Sequence, residues 1–137
     1  MRIIDTHCHL DFPQFDADRL EIINELKEKN IDVINISTSL ESIPKVIELI
    51  KNKQIWGMIG LHPTDIEPTT IIKLPDLLKE WATLIDNNPK LVGIGEIGLD
   101  YFHNRSSEAA SRQKGVLKQF LTLALEKDFK NTMFERF

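Results

Sequence analysis

The segment Asp5-Thr6-His7-Cys8-His9-Leu10-Asp11 is the strongest chemical signal in the sequence. On a strand, residues two apart point the same way, so Asp5, His7 and His9 share a face while Thr6 and Cys8 point opposite. Two imidazoles about 7 Å apart along a strand end can converge on one divalent cation. Asp5, deeper on that face, is placed to orient a ligand. Cys8 looks like a further donor in a linear reading, but parity excludes it. The competing reading is a pair of surface histidines at a strand end, against which the flanking Asp5 counts.

A second signal is Gly93-Ile94-Gly95-Glu96-Ile97-Gly98-Leu99-Asp100-Tyr101. Glu96 closes an otherwise apolar strand, and a carboxylate there must be paired or bind a metal, because burying it bare is costly. The alternative is a glycine-rich turn with an exposed glutamate. The third signal, Gly60-Leu61-His62-Pro63, puts a histidine where a strand stops. His62 can bind a metal, a substrate phosphate or neither. Asp100, Tyr101, His103, Asn104 and Arg105 form a polar loop, in which Arg105 can meet a phosphate or stay solvated. Arg112 and Gln113 read as a polar helix start with no special role, and Trp56 and Trp81 as core. There is no phosphate-cradling glycine loop and no nucleophile elbow.

The elements that must position these groups alternate. Strands are expected over residues 2–9, 31–37, 55–61 and 91–97. Helices are expected from Asp16 to about Asn30, with Leu20, Ile23 and Leu26 inward, then over 39–51, 75–86 and 107–127. Strands alternating with helices mean βαβ units and a parallel sheet, whose strand ends collect ligands. All three signals lie at such ends. Residues 128–137 have neither a strand's alternation nor a helix face and read as a ragged end to one domain over 1–127.

Composition bounds the rest. The 137 residues fit one domain, but a complete (β/α)₈ barrel takes about 250 residues, about 200 at the least. Apolar residues at 42% and charged residues at 28% exclude a disordered tail or a disulfide scaffold. No apolar run is long enough to cross a membrane, and the N-terminus enters a patterned segment without a signal-peptide pattern. One cysteine, Cys8, suits a reducing cytoplasm. A net charge of −4 argues against a constitutive duplex binder, yet permits an enzyme that holds a phosphate ester through metal ions.

Together the three motifs, in this order and spacing, resemble the N-terminal half of TatD-type metal-dependent hydrolases of the amidohydrolase-like superfamily, over about residues 1–127. The resemblance implies a parallel (βα)₄ portion of a (β/α)₈ barrel, apparently truncated, with DNA phosphodiesters as substrate. It implies two divalent metals in a complete site, with zinc, magnesium and manganese not distinguished. His7 and His9 would bind the first metal, and Glu96, the catalytic carboxylate, would bridge to the second. His62 would sit by the substrate phosphate, with Tyr101 and Arg105 also on the substrate side. The family continues into a histidine-bearing fifth strand and later ligands, whereas no histidine follows His103 here. Asp11, Asp65 and Asp100 are then the nearby candidates for a general base.

Three readings follow: half of a family enzyme with weak or no nuclease activity alone, an inactive half-barrel, or a small α/β module holding one metal. Four strands of eight leave two open sheet edges, so self-association is expected.

Overall fold

Residues 2–129 and 132–136 are described by a computed structural model. The strands are β1 (Ile3–Cys8), β2 (Ile31–Ile36), β3 (Ile55–Ile59), β4 (Leu91–Leu99) and β5 (Thr132–Arg136). They lie side by side in chain order, and every pairing is parallel. Between them run α1 (Arg19–Glu28), α2 (Ile43–Leu49), α3 (Pro68–Asn87) and α4 (Ser107–Glu126). This is the expected half of a parallel barrel with helices, carrying one strand more than expected.

β5 corrects the reading of the C-terminal segment. Its register on β4 runs from Ile94↔Thr132 to Leu99↔Arg136. Parallel pairing is made by main-chain groups on the free edge of β4, and it needs no apolar–polar alternation in the incoming segment. The opposite edge is β1, where Ile3 and Ile4 are about half exposed.

The core lies between the sheet and the helices. Ile55, Ile59, Ile94 and Ile97 from β3 and β4 pack with Val46, Trp81, Val116 and Phe120 from the helices. Trp81 and Phe120 stack at 4.8 Å between ring centroids, joining α3 to α4. Trp56 is only half-buried, with the Lys90 ammonium over its ring at 5.5 Å. Among the described residues no helix is long and apolar enough to cross a membrane.

Two helix boundaries differ from expectation. α3 starts at Pro68 instead of Pro75, with the Thr70 hydroxyl accepting from the Glu67 N–H at 3.0 Å. Its buried stripe of Thr70, Leu74, Trp81 and Ile85 runs past Pro75. Pro75 itself is on the exposed side, where water can meet the carbonyl that loses its helical donor. In α1 the expected inward Leu20 is exposed, and the buried position is taken by Arg19. The Arg19 guanidinium donates to the Leu10 and Phe12 carbonyls at 2.6 and 2.8 Å, and it pairs with Asp16, the expected cap. A buried cation thus anchors the loop that follows the two histidines.

Candidate metal centre

The sheet brings three side chains from distant segments together. Nε2 of His7 and Nε2 of His9 stand 3.1 Å apart, and they lie 3.9 and 3.7 Å from Oε2 of Glu96. Among the described residues these three form the group whose ligand atoms converge, all within 4.8 Å. Donors around a zinc ion at about 2.1 Å in tetrahedral geometry are roughly 3.4 Å apart, so the spacing suits one cation.

Local contacts set the donor atoms. Nδ1 of His9 lies 2.8 Å from the Ile36 carbonyl, which can only accept, so Nδ1 carries the hydrogen and Nε2 presents its lone pair. The Phe12 ring stacks on His9 at 4.7 Å and fixes its plane. Asp5 acts differently from expectation. Its carboxylate accepts from the backbone N–H of His7 at 3.0 Å, so it holds the main chain and not the imidazole.

Cys8 lies outside the centre, as strand parity requires. Its Sγ faces Asn35 Oδ1 at 3.9 Å, and burial pushes the thiol up to about 12.

Glu96 is nearly buried and is held through its backbone. Its N–H donates to the Ser37 carbonyl at 3.0 Å. The Ser37 hydroxyl accepts from the Gly60 N–H at 2.8 Å and donates to the Gly60 carbonyl at 3.1 Å. One buried serine therefore ties the ends of β2, β3 and β4. Gly60 is required there, because a Cβ at this position would stand 2.2 Å from the Gly95 carbonyl carbon.

His62, Tyr101 and Arg105, expected on the substrate side, are not among the three converging ligands. His62 ends the β3 segment, with its N–H on the Thr38 carbonyl at 2.7 Å. Nδ1 of His62 accepts from the Thr64 N–H at 3.3 Å. Tyr101 and Arg105 lie on the exposed loop after β4, where Arg105 covers the Phe102 ring at 5.7 Å and donates to the Phe102 carbonyl. Of the candidate bases, Asp65 is exposed and accepts from the Thr64 hydroxyl, and Asp11 accepts from the Asn35 amide at 2.8 Å.

Asp100 is fully buried and organises the loop. It accepts from the Phe102 and His103 N–H groups and pairs with Nδ1 of His103 at 2.6 Å. Burial acts to raise its pKa, but these bonds outweigh it and hold the carboxyl below its ordinary 3.8. A depressed folded pKa contributes stability above the unfolded value, and that contribution is lost as pH falls through the folded one. Urea midpoints of the wild type are therefore expected to drop below about pH 4, and Asp100→Asn should flatten that acid limb.

Gln113 carries a role that its place at a polar helix start does not suggest. Its Oε1 accepts from the Asp100 N–H at 2.9 Å, and its Nε2 donates to the Pro63 carbonyl at 3.2 Å. It thereby joins the loop bearing His62 to the loop bearing His103. The signal was present in the sequence, since Gln113 falls in the same helical stripe as Ala109, Val116 and Phe120. Gln113→Leu strands both main-chain partners, and an equilibrium denaturation midpoint should report a loss of about 2–4 kcal/mol.

The "TatD related DNase" family model matches residues 4–130. The chain belongs to the TatD family. It is 33% identical over 130 residues to the metal-dependent hydrolase YjjV of Escherichia coli, covering 93% of this chain and 48% of that protein. It is 26% identical to the human protein named deoxyribonuclease TATDN3, covering 89% of this chain and 47% of that one. The crystal structure of E. coli YjjV, a TatD homologue, superposes with a TM-score of 0.77 at 30% identity, over 97% of this chain and 50% of that one. The chain thus spans about half the length of these TatD relatives, and the half it spans matches their barrel fold.

Proposed function

We propose that this chain carries the metal-binding part of a cytoplasmic TatD-type phosphodiesterase that hydrolyses DNA. The observation that carries the reading is the convergence of His7, His9 and Glu96 within 4.8 Å. A divalent ion held there would polarise a phosphoryl oxygen and acidify the attacking water. His7 and His9 supply neutral nitrogen donors, and Glu96 supplies the charge. Ser37 and Gly60 keep Glu96 in place, so little reorganisation is needed when substrate arrives. His62, Tyr101 and Arg105 contact the nucleic acid, with His62 nearest the scissile phosphate. The name of the human relative supports DNA as the substrate class.

Three converging protein donors leave the rest of one ion's shell, and all but the bridging Glu96 oxygen of a second ion's shell, to water or to other groups. By itself the chain is therefore expected to turn over slowly. The test is release of fragments from a short single-stranded oligonucleotide with magnesium, manganese or zinc. Slow, chelator-sensitive cleavage that disappears in Glu96→Ala is the expected result. Cleavage unaffected by chelator, or none with any of the three metals, would remove the nuclease reading. A rate equal to that of full-length YjjV would overturn the slow-turnover part.

A further inference from the structure

Beside the metal centre lies a cavity of about 500 Å³ that no step above uses. Its volume is within the range of small-molecule sites, about 300–1,000 Å³. The wall includes Asp11, Phe12, Asp16, Ser39, Glu41 and Lys45. Phe12 is shared with the metal centre, since its ring is the one stacked on His9. Asp11 is more than nine-tenths buried. Its Oδ1 is occupied by Asn35, while its Oδ2 is buried with no hydrogen-bond partner. A buried acceptor left without a donor is costly, so it marks a place where a ligand's N–H or O–H would be favourable.

Charge decides the class of ligand. Three carboxylates line the cavity; Asp16 is paired with Arg19 and Lys45 with Glu48 at 3.1 Å, which leaves Asp11 and Glu41 to set the sign of the wall. Such a wall repels a phosphate. Nor do these carboxylates form a convergent group of three ligand atoms like that of His7, His9 and Glu96. The geometry points to a nucleoside subsite: Asp11 Oδ2 accepts from an amino or hydroxyl group of the nucleoside whose phosphate lies at the metal centre. This inference rests on the phosphodiesterase reading for its choice of ligand, but its test does not need cleavage.

The experiment is an NMR titration of the isotope-labelled full chain, held metal-free by chelator, with 2′-deoxycytidine. Saturable shifts at Asp11, Phe12 and Ser39 are expected, with weaker binding of 2′-deoxycytidine 5′-phosphate. Asp11→Asn keeps an acceptor for Asn35 but turns the free position into a donor, and it should weaken nucleoside binding about tenfold. Glu41→Gln, at the cavity rim, should narrow the gap between nucleoside and nucleotide. Absence of shifts at millimolar nucleoside, or an unchanged affinity in folded Asp11→Asn, would overturn the proposal. So would magnesium or inorganic phosphate moving the same resonances equally. Nucleoside binding lost while zinc binding and DNA cleavage persist refutes this subsite alone. Cleavage absent while the nucleoside still binds refutes the nuclease reading alone.

Discussion

Changing both His7 and His9 to alanine is expected to lower zinc affinity by about 100-fold or more, leaving Glu96 as the lone donor of the converged group. The size of the effect follows from the geometry. The two Nε2 atoms are 3.1 Å apart and each lies within 4 Å of the same carboxylate oxygen, so both are lost from one shell. Competition with a chromophoric chelator measures the affinity directly. Thermal melting gives an independent readout. Zinc at 100 times the wild type's dissociation constant should stabilise the wild type by about 2.7 kcal/mol and the double variant by about 0.4 kcal/mol or less. Cys8 is not placed to substitute, because its Sγ faces Asn35 and lies outside the converged group. Retained zinc affinity in the double variant would show that the ion binds elsewhere.

Gly60→Ala is expected to destabilise the fold by about 3 kcal/mol and to weaken zinc binding at the same time. The added methyl would sit 2.2 Å from the Gly95 carbonyl carbon and 2.3 Å from the Glu96 nitrogen, and backbone cannot rotate out of the way as a side chain can. Relief requires separating β3 from the peptide that presents Glu96, which breaks the Ser37 links as well. Gly115→Ala is the control. It lies on an exposed turn of α4 where a methyl meets nothing within 4 Å, so it should stabilise by about 0.5–1 kcal/mol. Urea denaturation of both variants, with zinc titrations alongside, checks the pair. A Gly60→Ala protein as stable as the wild type and with full zinc affinity would contradict the role given to this contact.

Much of the architecture was legible in the residues. Strand-forming runs such as Ile-Asp-Val-Ile-Asn-Ile alternate with helical stripes, and a parallel sheet follows. Glu96 in an apolar strand needed a partner on electrostatic grounds, and it has two imidazoles beside it. Misreadings came where a local cue had a tertiary competitor. Pro75 looks like a helix start, but an apolar stripe continuous across it wins because the proline faces solvent. Asp16 looks like a cap, but Arg19 draws it into an ion pair while binding the preceding loop's carbonyls. β5 has no pattern of its own, and the edge of β4 supplies the pairing.

Short-range chemistry, then, determined the element types, the shared face of His7 and His9 and the need for a partner at Glu96, because parity and burial cost act over a few residues. Only the tertiary structure decided that residues 89 positions apart would meet (7 to 96), and that Ser37, Gly60 and Gln113 would lock the strand ends beneath them. That difference is physical. Distances between strand ends depend on sheet order, register and buried hydrogen bonds that close over long loops, and no local periodicity encodes them.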